Sequence, residues 1–376
     1  MVSKKTKLDS DLTSSGEIGI FDDLDSFKSE LKKEFGDSTA LSDDDFITSF
    51  IPTNIAPLDY LLGGGIPQGK MIEIVGKEGT GKSSLGIYML SQIQKQGGLG
   101  VLIDSENGAG DRFRFENFGV DTKKCIISVE DLAEKAFAQI ERVGNYIVKK
   151  NLKVPSLLVL DSVAGLTTRA EQEADYDTNN VAITARMIKK GIQRTKLLCK
   201  ETNLAVIFVN QARVKIGGMA NMYMQEYTSP GGDTLKFQAI TRLFLEKGKT
   251  LGDTKLPDGH IVKAKIIKCK TSSCLGRTLP MRFYYDKRAY SNPHIIYDVL
   301  VDSGYLGSTA WKTISLPDGS EKRFNSESTF IELFNASKEN ENHFITLMKD
   351  AFKKNLNFNK DSIDDIKISD AYENLS

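Results

Sequence analysis

Histidine and cysteine are scarce, with three and four residues in a chain of 376. Cys125, Cys199, Cys269 and Cys274 have no zinc-ligand spacing and are too few for a disulfide framework, so reduced thiols are expected and a Cys/His metal site is not. Net charge is missing too, because 50 Lys and Arg balance 50 Asp and Glu. No global positive field announces a polyanionic partner, and any affinity for one must be carried locally. No stretch approaches the ~18 uninterrupted apolar residues of a membrane span, and the opening MVSKKTKLDSDLTSS lacks the apolar core of a secretory signal. A cytoplasmic protein without membrane association is expected. Internal repeats are absent. What remains, 40% hydrophobic and 27% charged residues, is ordinary globular composition. At roughly 100–200 residues per domain it leaves room for two or three cores and excludes collagen, coiled coil and wholesale disorder.

Residues 1–20 are polar and Ser-rich and are expected to be disordered. Over 21–50, Phe21, Leu24, Phe27, Leu31 and Phe35 step by three and four, the stripe of an amphipathic helix ended by Gly36. From Met71 onward, short β-rich runs alternate with helical segments: MIEIV, GVLID, SLLVLD and LAVIFVN. These runs are almost continuously apolar, which predicts strands covered on both faces and an α/β core with a mainly parallel sheet. TRLFLE (241–246) and IVKAKIIK (261–268) extend the strands, and this region spans 51–290. A small α+β unit is expected over 291–352, and an acidic tail over 353–376.

The sharpest motif follows the strand MIEIV: Gly76-Lys77-Glu78-Gly79-Thr80-Gly81-Lys82-Ser83, then Ser84 and an amphipathic helix. This is a P-loop, of which roughly 0.01 chance matches are expected in a chain of this length. Its glycines let backbone N–H groups turn toward phosphate oxygens at a helix N-terminus. Lys82 would neutralise the β- and γ-phosphates of ATP, and Ser83 would give Mg²⁺ an oxygen. Asp161, ending SLLVLD, is the second metal-holding acid, unless it merely caps the next helix. Glu106, just beyond GVLID, is the expected general base, the alternative being a solvated loop acid. Asn210 and Gln211 close LAVIFVN, where their amides could bond the γ-phosphate or, equally, cap a helix.

With these motifs in order, the chain resembles the RecA-family recombinases from about Leu31 to Phe352. LKKEFGDSTAL (31–41), PLDYLLGGGIPQGKMIEIVGKEGTGKSS (57–84), VLDSVAGLT (159–167), TARM (184–187), FVNQARVKIG (208–217) and GGDTLKF (231–237) carry the resemblance. It implies a RecA-like ATPase core with a small C-terminal domain, in which the N-terminal helix packs on a neighbouring subunit. It further implies a helical filament on single-stranded DNA, pairing with duplex DNA, and strand exchange coupled to DNA-stimulated ATP hydrolysis. A ring-forming helicase or related ATPase on the same core is the alternative.

By the same resemblance, two loops contact DNA, one at about 171–182 and one at about 213–232. Arg186, Arg213 and Lys215 would neutralise phosphates, approached also by the backbone of Ile216, Gly217 and Gly218. Val181 and Ile216 match apolar wedges between base triplets, and Gly231 and Gly232 close the second loop. Tyr223 or Tyr227 stands in for an aromatic that relatives carry where this chain has Ala220. Lys268 and Lys270 would reach a neighbour's γ-phosphate across the subunit interface, and Phe237 would pack at that interface. Asp111 matches an adenine-contacting acid, with Phe113 or Phe115 stacking on the base.

Overall fold

The computed structural model describes residues 27–31, 33–34, 49–108, 112–175, 181–214, 227–228, 233–307 and 309–354. The chain divides into two units, Met1–Ser49 and Phe50–Ser376. In the first, residues 27–31 and 33–34 are helical and Phe27 is exposed, while Phe21, Leu24, Phe35 and Gly36 lie outside the described residues.

The second unit is built on one eight-stranded sheet. Its strands in chain order are β1 (Met71–Gly76), β2 (Leu99–Asp104), β3 (Cys125–Val129), β4 (Ser156–Asp161), β5 (Ala205–Gln211), β6 (Thr241–Gly252), β7 (Pro257–Cys269) and β8 (Thr278–Tyr284). Across the sheet they run β8-β7-β6-β1-β5-β4-β2-β3. Pairings from β6 through β1, β5, β4 and β2 to β3 are parallel, and β7 and β8 add an antiparallel edge. The fold is therefore the α/β, mainly parallel arrangement that the apolar runs predict.

Strand alternation explains those runs. Leu157 and Val159 face one apolar cluster with Ile72, Ile74, Ile207 and Val209, beneath the helix Lys82–Lys95. Leu158 and Leu160 face a second cluster with Val206 and Phe208, beneath the helices Ala133–Lys150 and Val181–Thr202. With both faces covered, both sets of alternating side chains are mainly apolar. The first cluster continues into the C-terminal elements, the helix Asn292–Asp302, a hairpin of Lys312–Ser315 with Glu321–Phe324, and the helices Glu327–Asn335 and Lys338–Lys354. Phe330 stacks on Phe344 at 5.2 Å, and Tyr60 on Phe352 at 5.4 Å. Arg282 on β8 ties this region to the sheet through Asp298 (2.5 Å) and Glu327 (2.7 Å).

A charge inside an apolar strand needs a partner, and the parallel register supplies one by setting Arg242 of β6 opposite Glu73 of β1. Arg242 Nε lies 2.5 Å from Glu73 Oε2, and the amide of Asn210 donates to Glu73 Oε1 at 3.0 Å. Glu73 and Asn210 are both completely buried. Glu73→Ala leaves the guanidinium buried and unpaired, for an expected loss of about 3–5 kcal/mol of stability. Urea denaturation of parent and variant checks this; a loss below about 1 kcal/mol contradicts it.

Candidate nucleotide-binding site

Four adjacent parallel strands, β1, β5, β4 and β2, end at one sheet edge. Register places Gly76 beside Gln211 and Asp104 beside Asp161, so motifs far apart in sequence converge there. The carboxyl edge of such a sheet is where ligands bind in open α/β folds.

The P-loop leads from β1 into the helix that starts at Lys82. At Gly76 a Cβ would sit 2.4 Å from the carbonyl oxygen of Leu245, so only glycine passes. Gly81 caps the helix at φ +88°, in the left-handed region that glycine adopts without strain. The Thr80 hydroxyl and the Lys82 ammonium both donate to the carbonyl of Lys77, at 2.8 and 2.7 Å. Lys82 is buried, and desolvation pulls its pKa below the ordinary lysine range against the attraction of Asp161, Glu106 and Glu78.

Asp161 is hydrogen-bonded by the Ser83 hydroxyl, and burial pushes its carboxyl up to about 6, with Glu106 contributing in the same direction. A largely desolvated carboxylate beside a hydroxyl, near a second acid, is a donor set that suits a hard divalent cation. Glu106 is exposed, but its carboxylate is held: Gln211 Nε2 donates to Oε1 at 3.0 Å, and the Ser162 hydroxyl donates to the same oxygen. Ser105 and Ser162 stitch the two strand-end loops together, with Ser162 N donating to Ser105 Oγ at 2.8 Å and Ser105 Oγ to Ser162 O at 2.5 Å.

The structure separates Asn210 from Gln211, which the sequence treats as one pair. Asn210 points inward to Glu73, and its own amide oxygen accepts from Gln211 N at 3.1 Å. Only Gln211 faces the acid. Phe115 is also excluded as a base-stacking platform, being packed in the apolar core at 1% exposure. Asp111 and the side chain of Phe113 lie outside the described residues.

The site is a cleft of about 430 Å³ lined by residues 78–84, Glu106, Asp161 and Gln211. A wall that the sequence did not disclose completes it: Phe118, His260, Phe283 and Tyr285, flanked by Arg114 and Lys247. Phe283 meets Phe118 at 5.8 Å, His260 at 5.4 Å and Tyr285 at 5.8 Å. His260 Nδ1 pairs with the Tyr285 hydroxyl at 3.0 Å, and burial, reinforced by Lys247, pushes its pKa down to about 4. The ring is therefore neutral at pH 7, and of the four rings only Tyr285 is exposed.

Lys268 sits on β7 opposite Arg242, and its ammonium caps the helix Asp233–Gln238 by donating to the carbonyls of Lys236 (2.7 Å) and Phe237 (2.9 Å). Burial, then Lys270 and Arg242, lower its pKa to about 8. Lys270 and the Phe237 side chain are exposed. Arg186 is exposed on the helix Val181–Thr202, whose Thr184 hydroxyl donates to the Glu171 carboxylate at 2.7 Å. A two-residue pairing of Arg213–Val214 with Tyr227–Thr228 begins one residue after Gln211, within the segment expected to form the second loop. Lys215, Ile216, Gly217, Gly218, Tyr223, Gly231 and Gly232 lie outside the described residues, as do the side chains of Val181, Arg213 and Tyr227. No helix among the described residues is long and apolar enough to cross a membrane.

Comparison with known proteins agrees with this geometry. The RecA N-terminal domain family matches residues 23–288. Protein RecA of Campylobacter lari is 36% identical over 254 residues, covering 66% of this chain and 71% of that protein. Protein RecA of Campylobacter jejuni subsp. jejuni is 35% identical over 253 residues, with the same two coverages. Protein RecA of Francisella philomiragia is 34% identical over 254 residues, covering 66% of this chain and 68% of that protein. The chain belongs to the RecA family.

Proposed function

We propose that this chain is a DNA-dependent ATPase that assembles into a helical filament on single-stranded DNA, pairs it with homologous duplex and exchanges strands. The observation that carries this reading is Gln211, whose side chain bonds the Glu106 carboxylate while its backbone leads, through Ala212, into the paired strands at the start of the second loop. One residue thus touches both the hydrolytic centre and the DNA-contacting segment, so nucleotide state and DNA affinity are linked, and the linkage is reciprocal.

In this reading Lys82 leaves the Lys77 carbonyl for the β- and γ-phosphates, and the wall of Phe118, Phe283 and Tyr285 takes the nucleoside. Glu106 orients water for in-line attack on the γ-phosphorus, with no covalent enzyme intermediate. Ser83 and Asp161 are the residues that would hold Mg²⁺, which when bound neutralises charge on the phosphate oxygens. Lys268 and Lys270 act on the γ-phosphate of a neighbouring protomer, so the site is complete only in the filament. Arg186, Arg213 and Lys215 hold DNA phosphates, with Val181 and Ile216 as wedges and the backbone of 216–218 and 231–232 in close approach.

The test is ATP turnover with and without single-stranded DNA, followed by imaging of the complex. Stimulated turnover with open helical filaments is expected. Closed rings would favour a helicase-type ATPase, and no turnover under either condition would contradict the proposal.

A further inference from the structure

The four thiols are free and sit in different surroundings. Burial pushes Cys125 up to about 11 and Cys199 up to about 12, leaving both as unreactive thiols. Cys269 and Cys274 instead share a polar cluster at the β7–β8 turn. Ser272 Oγ lies 3.4 Å from Cys269 Sγ and 2.8 Å from Cys274 Sγ, and Thr271 Oγ1 lies 3.3 Å from Cys269 Sγ. One hydroxyl oxygen thus touches both sulfurs and sets the two thiols side by side, and the neighbouring Cys274 thiol pulls Cys269 well below the ordinary thiol range. Cys274 moves the opposite way. Cys274 is buried at 3% exposure, whereas Cys269 is half-buried and open to a small oxidant. One nucleophilic sulfur with a shielded second sulfur beside it is the arrangement of an oxidisable dithiol.

We propose that Cys269 and Cys274 are an oxidation site for peroxide, closing a disulfide across the turn that carries Lys270. The Cys269 thiolate attacks one oxygen of hydrogen peroxide, forming S–O and breaking O–O; the hydroxide released takes up the proton shed by the thiol and leaves as water. The Cys274 sulfur then attacks the sulfenic sulfur, forming S–S and breaking S–O, and its proton leaves with that hydroxyl as a second water. The two sulfurs lose two electrons, which reduce the peroxide.

The consequence follows from position. Cys269 lies between Lys268 and Lys270, and the closed ring of residues 269–274 contains Lys270. In the reduced form, Thr271 and Ser272 also donate to the carbonyls of Leu62 (3.0 Å) and Leu61 (2.5 Å), fixing the turn to the helix Ala56–Leu62. Drawing Cys269 and Cys274 together pulls both sulfurs off that cluster and displaces Lys270. An effect on turnover rests on the function proposed above; the thiol chemistry does not.

The experiment treats full-length protein, free of DNA and nucleotide, with hydrogen peroxide, then alkylates remaining thiols and reads peptide masses. Expected is a linked Cys269–Cys274 product lighter by the mass of two hydrogens, with Cys125 and Cys199 still alkylated. DNA-stimulated turnover should fall about tenfold, a fraction of what a transferred-phosphate cation supplies. Dithiothreitol restores it. Cys269→Ser and Cys274→Ser should each keep the parent's turnover and lose the reversible inhibition. Full alkylation of both residues after peroxide, or a disulfide that leaves turnover unchanged, overturns the proposal. Untreated protein lacking DNA-stimulated turnover would count against the proposed function, while peptide mass would still decide the thiol chemistry.

Discussion

Lys82→Ala should abolish ATP-dependent binding of single-stranded DNA. Lys82 is the buried cation of the P-loop, attracted by Asp161, Glu106 and Glu78 and resting on a neutral carbonyl. Its removal leaves those acids uncompensated where the phosphates must enter. Truncating one partner of a buried charge pair costs roughly 3–5 kcal/mol, which would weaken ATP on the order of 10²–10⁴-fold. Titration calorimetry with a non-hydrolysable ATP analogue reads the first loss, and fluorescence anisotropy of a labelled oligonucleotide reads the second. A variant that binds the oligonucleotide as the parent does, in the presence of the analogue, would remove Lys82 from its assigned role.

Glu106→Gln should separate hydrolysis from assembly. The carboxylate is held by Gln211 and Ser162 in a position open to the cleft, so the amide replaces it at nearly constant volume. Loss of a positioned general base lowers turnover by about 10²–10⁴-fold. The parts proposed to bind triphosphate, Lys82 and the loop from 76 to 83, are untouched, so filaments should still form and should outlast those of the parent. Single-turnover kinetics beside electron microscopy distinguishes the outcomes: unchanged turnover would mean that another group activates the water.

The P-loop was legible because its chemistry is contiguous. Eight successive residues carry it, and the flanking strand and helix follow from local periodicity. The positions of Asp161 and Glu106 at the sheet edge were legible because each follows an apolar run, and in a parallel sheet the carboxyl ends of such runs share an edge. The roles of Asn210 and Gln211 were blurred although the signal was present: adjacent strand residues face opposite ways, so both could not face one ligand. Glu73 in MIEIV and Arg242 in TRLFLE were also visible as charges within buried strands, yet their pairing depends on register, which neither segment states. The aromatic wall was not readable at all. Phe118 follows a helix, His260 lies on β7, and Phe283 and Tyr285 stand at the end of β8, so three separate elements must fold before the wall exists. Phe115, with the more promising position in sequence, was taken into the core instead.

The central claim is that triphosphate at the P-loop governs the grip on DNA through Gln211. The affinity of the protein for a single-stranded oligonucleotide, measured at one fixed salt concentration with an ATP analogue, with ADP and without nucleotide, tests it most directly. Tight binding with the triphosphate alone is the predicted result. Equal affinity in all three conditions would contradict the account.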